Sequence, residues 1–281
     1  MNIIVGGTGH VGGAVSRALL DAGDKVTIVT RDAAAAAGWG DRGALLAEVN
    51  VRDIEGLRRV FKSGSRAFLL NPPADPSADT DAVERQSVAD LLAAVTGSGL
   101  ELIVAQSTYG ARPGAPCGDL NVLYELEQGL SAQPIPSRIV RAAYHYPNWC
   151  AGIETAKDQG FIESVLPVNR VFPMAAPEDI GAECAKLMRG GVGSSLAFVE
   201  GPERYSPQHV ADVFAQRLGR PVEVRVVAGD DLNGWFQKAG FSQAAAESYA
   251  CMARATTQGV WPAFGEVIRG STTLADYFST I

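Results

Sequence analysis

The chain begins Met1-Asn2-Ile3-Ile4-Val5-Gly6-Gly7-Thr8-Gly9-His10-Val11-Gly12-Gly13, and the reading of this stretch decides the fold. Residues 2–5 are an apolar run of strand type, and Gly6 to Gly9 make a turn. From His10 the apolar residues Val11, Ala14, Val15, Ala18 and Leu19 recur at helical spacing as far as residue 22, where Gly23 stops the helix. A strand that enters a helix through Gly6-x-x-Gly9-x-x-Gly12 has the form of a dinucleotide-binding turn. Each glycine has its own reason. Gly6 permits the tight turn, Gly9 lets a pyrophosphate approach the backbone N–H groups at the helix start, and Gly12 lets the helix pack closely. The plainer reading is a glycine turn at the head of an α/β domain with no ligand.

Outward from this turn the pattern repeats. Strands are expected at 25–30, 45–51, 67–70, 101–105 and 137–140, and helices at 53–61, 79–96 and 119–130, with Asp53 as one cap. Residues 32–43 are alanine-rich and fix no structure. Asn71-Pro72-Pro73 stops the fourth strand sharply. Such alternation predicts an α/β fold, a doubly wound parallel sheet with helices on both faces. The second half is less regular. It predicts helices at 177–188 and 207–218, strands at 194–199 and 222–227, and from 230 onward helices at 231–238, 242–256 and 273–279 with a turn led by Pro262. This gives a core over 1–150, and over 151–281 one or two further sheet strands with a small, mostly helical lobe, not cleanly separable from the core.

Composition sets the outer bounds. A chain of 281 residues with 47% apolar and 20% charged residues buries a large core and is not disordered. A net charge of −7 argues against nucleic acid as a partner. No apolar run is long enough to span a membrane, and the N-terminus enters a strand without a basic leader, so a cytoplasmic location is expected. Cys117, Cys150, Cys184 and Cys251 form no CxxC pair, and His10, His145 and His209 form no cluster. Neither a metal site nor a disulfide framework is therefore expected.

The second strand ends Val29-Thr30-Arg31, where the adenosine ribose of a dinucleotide lies. An acid there would favour NAD, whereas the Arg31 guanidinium suits a 2′-phosphate and points to NADP(H). Asp32 dilutes this argument, and a solvent-facing arginine is the plainer alternative.

Several stretches together resemble the NmrA-like type of atypical short-chain dehydrogenase/reductase. They are Val5 to Gly12, Val29-Thr30-Arg31-Asp32, Leu69 to Pro73, Ser107-Thr108-Tyr109-Gly110-Ala111, the Glu127 and Leu130 helix, Arg141 to Asn148, Glu178 to Gly181, Glu200-Gly201-Pro202-Glu203, Leu218 to Pro221 and Thr273 to Tyr277. The nearest group is that of the NAD(P)H:quinone oxidoreductases, triphenylmethane-dye reductases and azoreductase-like proteins. The resemblance implies a Rossmann-type sheet with a small C-terminal lobe, NADP(H) as ligand, and either reduction of quinones or dyes or dinucleotide sensing without turnover. The cofactor-binding set is then Gly6, Thr8, Gly9, His10, Val11 and Gly12 at the phosphates, Arg31 and Asn50 at the adenosine end, and Asn71, Pro72, Pro73, Ser107 and Tyr144 at the nicotinamide end.

One departure bears on mechanism. Typical short-chain dehydrogenases use Tyr-x-x-x-Lys, and this chain has none. Tyr124 has the position, but its fourth neighbour is Gln128, which gives no charge assistance. Tyr109 and His145 are the other proton-donor candidates, each also readable as a packing residue. Hydride transfer to a quinone tolerates the loss, because solvent can protonate the stabilised product. Tyr144, His145, Tyr146, Asn148 and Trp149 are expected to cover the ring, with Trp235, Phe236 and Phe241 as a lid. The leading expectation is an NADPH-dependent reductase of a quinone or similar conjugated or dye acceptor, a small aromatic substrate. A sensor acting on a protein partner, and a biosynthetic reductase of an enone, stay open, as does a homodimer.

Overall fold

The computed structural model describes residues 1–259 and 265–279. In chain order the elements are β1 (Asn2–Val5), α1 (His10–Asp21), β2 (Val26–Thr30), α2 (Ala37–Asp41), β3 (Leu45–Glu48), α3 (Ile54–Phe61), β4 (Arg66–Leu69) and α4 (Thr80–Val95). Then come β5 (Leu102–Thr108), α5 (Asp119–Ser131), β6 (Ser137–Ala142), β7 (Tyr144–His145), α6 (Ile153–Gln159), β8 (Phe161–Ser164), β9 (Phe172–Ala175) and α7 (Pro177–Met188). The remainder are β10 (Leu196–Glu200), β11 (Arg204–Tyr205), α8 (Pro207–Leu218), β12 (Glu223–Val226), α9 (Leu232–Lys238), α10 (Gln243–Gln258), β13 (Glu266–Arg269) and α11 (Leu274–Ser279).

Eight strands form one parallel sheet in the order β13-β10-β6-β5-β4-β1-β2-β3. This is the expected doubly wound, Rossmann-type architecture. Burial on both faces explains why β1 and β4 carry apolar residues almost throughout. Alternation assigns the faces. Ile4, Phe68 and Val104 pack under α1 and α7, whereas Ile3, Val5, Ala67 and Ile103 pack under α3, α4 and α5. Helices α1 and α7 touch closely, since a Cβ on Gly181 would stand 2.5 Å from the Ala14 Cβ. Asp53 and Asp79 cap α3 and α4 by accepting from the Gly56 and Ala82 amides.

The chain lays β2 and β3 on one side of β1 and returns to lay β4 on the other. The crevice of this sheet therefore opens at the carboxyl ends of β1 and β4. That places the glycine turn and the Asn71-Pro72-Pro73 exit side by side.

The second half departs from the sequence expectations in detail. Residues 194–199 give β10, which joins the sheet, but 222–227 do not. There β12 pairs with β8 in a separate two-stranded sheet. Strand β13, in a region read as helical, supplies the sheet edge. A third small sheet, β11-β9-β7, underlies an aromatic cluster of Tyr146, Trp149, Phe172, Tyr205, Phe214 and Phe278. The alanine-rich stretch contains only the short α2. The Pro262 turn lies outside the described residues.

The absence of a disulfide framework is corrected. Cys117, in the loop after β5, is bonded to Cys251 on α10. The two are 134 residues apart, so no local spacing could announce them, and only the fold brings their Cα atoms to 5.3 Å. Cys150 and Cys184 are free. Among the described residues no helix is long and apolar enough to cross a membrane.

Candidate functional site

The glycine turn is built as its spacing implies. Gly6 has φ +68°, a left-handed conformation that glycine adopts without penalty. Gly12 is pressed on its own turn, since a Cβ there would lie 2.1 Å from the Gly6 carbonyl oxygen and 3.1 Å from the Gly7 Cα. The close approach assigned to Gly12 is thus helix to turn as much as helix to sheet. Gly9 is different. The nearest atom to a Cβ there is the Gly6 oxygen at 3.4 Å, so its outer side is open.

Helix α1 starts at His10 with no side-chain cap, leaving its first amides free for an anion. A cleft of about 260 Å³ lies in front of it, lined by Thr8, Gly9, His10, Arg17 and Glu178. Val11 is buried beneath. A backbone cradle at a sheet switch point, closed to side chains at Gly12 and open at Gly9, fits a pyrophosphate. The sequence reading missed Arg17 and Glu178 as cleft residues. Arg17 stands two turns after His10 on the same face of α1, which is a signal that the spacing contained. Glu178 arrives from α7 and faces Arg17 at 3.6 Å.

Arg31 follows β2 and is exposed, as is Asn50 beyond β3. Both stand at the carboxyl ends of neighbouring strands, on the β2–β3 side of the crevice. The Asn50 Oδ1 accepts from the Arg52 amide. The Glu48 carboxylate, which the sequence reading did not single out, accepts from the Ala33 amide in the same loop.

On the other side, Asn71 and Pro72 are half-buried and Pro73 is exposed. The Asn71 amide donates to the Glu84 carbonyl, and its Oδ1 is buried without a partner. Ser107 is buried, and its hydroxyl donates to Glu127, which Arg141 grips through two bonds of 2.8 and 2.7 Å. That serine is committed to an internal charge network rather than presented to the crevice.

The proton-donor candidates fare differently from one another. Tyr109 is only 4% exposed, and its hydroxyl donates to Glu200 at 2.7 Å. Its ring meets Phe198 edge-on. Burial, then the bond to Glu200, push its phenol well above the usual range. Glu200 is fully buried. Burial acts to raise its carboxyl, but bonds from Arg204 and Tyr109 and the charges of Arg204 and Arg269 hold it below the usual range. Tyr109 is therefore a core tyrosine tied to a charge cluster. Tyr124 is half-buried on α5, with Gln128 exposed one turn on.

His145, on β7, lies 3.5 Å from the Gln106 amide, Nε2 to Nε2. Burial, then the charge of His10, lower its pKa to about 4, so the ring is neutral at pH 7. Tyr144 stacks edge-on against Phe172, and burial raises its phenol to about 12. Tyr146 and Trp149 are buried in the neighbouring core, and Asn148 is exposed. The residues expected as a lid lie in the helical lobe. Trp235, Phe236 and Phe241 pack with Tyr249 in a separate cluster between α9 and α10. Trp235 also donates to Glu163 at 3.0 Å. It lines a larger cleft of about 550 Å³ with Arg225, Asp230, Asp231 and Lys238. That cleft shares no residue with the glycine turn, and its mixed charges do not suit a flat apolar acceptor.

Comparison with known proteins agrees with this fold. An NAD(P)H azoreductase from Xenophilus azovorans is 24% identical over 222 residues, 79% of this chain and 75% of that protein. The NADPH-dependent quinone oxidoreductase QOR2 of Escherichia coli, solved with NADPH, superposes with a TM-score of 0.78 at 16% identity, over 100% of this chain and 99% of that one. The Citrobacter sp. triphenylmethane reductase, solved with NADP(H), gives a TM-score of 0.75 at 15% identity, over 92% of each chain. The profile of the NmrA-like family matches residues 2–269. The chain belongs to the NmrA-like family.

Proposed function

We propose that this protein is an NADPH-dependent oxidoreductase that passes hydride to a quinone or a similar conjugated or dye acceptor. The observation that carries the reading is a dinucleotide cradle joined to a ring end without a charged proton donor. Glycine-turn amides and the α1 terminus hold the pyrophosphate, with His10 and Arg17 adding donors beside it. Arg31 serves the 2′-phosphate, and Asn50 lies beside the same end. When bound, the dinucleotide supplies the hydride.

The ring end selects the acceptor by what it lacks. The Tyr109 hydroxyl is held by Glu200, Tyr124 has no lysine partner, and His145 is neutral. An unactivated ketone needs a strong acid as its oxygen gains charge. An electron-poor ring does not, because its reduced oxygen is a stabilised phenolate that water protonates. The protein then has to hold two rings together and exclude bulk water. The names of the azoreductase, quinone oxidoreductase and dye reductase above support the same acceptor class.

The test is NADPH consumption with a panel of quinones and dyes, run in parallel with NADH. Acceptor-dependent loss of NADPH above the uncatalysed rate is expected. Binding of NADPH without turnover of any acceptor would favour a sensor that acts on a protein partner.

A further inference from the structure

Gln106 lies on the α1 face of β5 near its carboxyl end, with Thr108 beyond it on the same face, and neither the glycine turn nor the proton-donor question uses it. It is 8% exposed, and its Oε1 is buried without a hydrogen-bond partner. Its Nε2 has only the long 3.5 Å approach to His145. A buried amide with an open acceptor calls for a group that fills it.

Its place in the sheet says what that group is. Leu69 of β4 is level with Ala105 of β5, so Leu70 and Gln106 follow side by side. Leu70 is the residue that presses on the glycine turn, its Cδ2 standing 2.7 Å from where a Gly6 Cβ would be. Gln106 thus lies two strands from β1, about 10 Å along the crevice from the phosphate cradle. His10 of that cradle is close enough to depress His145 beside it. A primary amide offers donors and an acceptor together, the same set that a nicotinamide carboxamide offers in reverse.

We propose that the Gln106 amide recognises the nicotinamide carboxamide, each amide donating to the other, and that His145 occupies the donor side until the ring arrives. This rests on the dinucleotide reading above. Gln106 would be a binding residue that fixes the rotation of the ring, and hence which face of it meets the acceptor.

The experiment measures dissociation constants by calorimetry for three probes: NADPH, its reduced 3-acetylpyridine analogue, and 2′-phospho-ADP-ribose. The analogue replaces the carboxamide NH2 by a methyl group and so loses the donor that Gln106 Oε1 would accept. Wild type is expected to prefer NADPH about five- to tenfold, the factor of one hydrogen bond. Gln106→Met is expected to bind both dinucleotides equally. 2′-Phospho-ADP-ribose has no nicotinamide ring, and equal binding of it by both proteins shows a folded variant with an intact cradle. His145→Phe, which leaves Gln106 in place, is expected to keep the preference. The same preference in Gln106→Met as in wild type overturns the proposal and leaves an ordered water as the partner of Oε1. Binding without preference in wild type overturns it as well. Failure of wild type to bind any of the three probes overturns the dinucleotide reading itself, a separate result.

Discussion

Breaking the Cys117–Cys251 bond gives the sharpest prediction about this fold. The bond closes a loop of 134 residues, from the segment after β5 to the middle of α10. In the chain-entropy treatment such a loop stabilises the folded state by about 5 kcal/mol at 25 °C, and measured disulfides more often contribute about 2–4 kcal/mol. A loss of about 3–5 kcal/mol is therefore expected on reduction or in the Cys117→Ser/Cys251→Ser double variant. With a urea m-value of about 3 kcal/mol/M, the midpoint falls by roughly 1–1.7 M. The bond is not the only fastening of α10. Ser242 at its start caps the helix and donates to the Ala78 carbonyl, and the Ser242 amide donates to Pro76. Reduction should thus loosen the Cys117 side of α10 while the Ser242 end stays attached, so proteolysis should begin in the 109–118 loop. The assay is urea unfolding of oxidised wild type, dithiol-treated wild type and the double variant, with free thiols counted in each. Equal midpoints for oxidised and reduced protein would refute the reasoning. So would four free thiols in the protein as isolated, since then the bond does not form.

Other predictions follow from single residues. Arg31→Ala is expected to weaken NADPH binding about tenfold or more, the scale of a charge-assisted bond, and to leave NADH nearly unchanged; equal weakening of both removes Arg31 from the 2′-phosphate. Tyr124→Phe should leave quinone reduction within about twofold, and a hundredfold fall in kcat with binding intact would restore tyrosine acid catalysis. Gly9→Ala should fold with near wild-type stability, since its new Cβ meets nothing closer than 3.4 Å, yet lose dinucleotide affinity, whereas Gly12→Ala should destabilise the fold because its Cβ would lie 2.1 Å from a backbone oxygen. Thermal melts with a binding titration separate the two. Burial, then the charge of Asp119, raise the Glu84 carboxyl to about 7. The folded state then holds more protons than the unfolded chain between about pH 4.5 and 7, so this group favours folding below that window and the benefit is lost as pH rises through it. Glu84→Gln should therefore raise the melting temperature at pH 8 relative to wild type more than it does at pH 5.

Much of the fold was legible because parallel strands buried on both faces are written as apolar runs. Residues 2–5, 67–70 and 101–105 show this, and the helices between them carry one apolar face. The legible part ended where burial stopped dictating composition. Glu266-Val267-Ile268-Arg269 is a sheet-edge strand with charged ends, and nothing in its four residues separates it from a helix end. Val222 to Val227 does have strand composition, yet composition does not name the partner strand. It pairs with β8, whose Phe161-Ile162-Glu163-Ser164 is equally short.

The site divides along the same physical line. Backbone-built parts were readable, since glycines that cradle a phosphate must stand at fixed spacing in the chain. Side-chain parts were not, because their partners come from distant strands. Ser107 and Tyr109 are adjacent to the crevice in sequence, but Glu127 and Glu200, 20 and 91 residues away, take their hydroxyls. Both acids are paired with guanidinium groups, Glu127 with Arg141 and Glu200 with Arg204 and Arg269. A fixed carboxylate is a stronger acceptor than an incoming substrate oxygen, so these hydroxyls stay with their acids. Near the carboxyl ends of β4 and β5, two amides, Gln106 and Asn71, each keep a buried oxygen without a partner among the described residues, with the neutral His145 beside Gln106. Amides orient a ligand and do not protonate it. A crevice furnished in this way suits a reaction in which the cofactor and acceptor carry the chemistry and the protein sets their geometry.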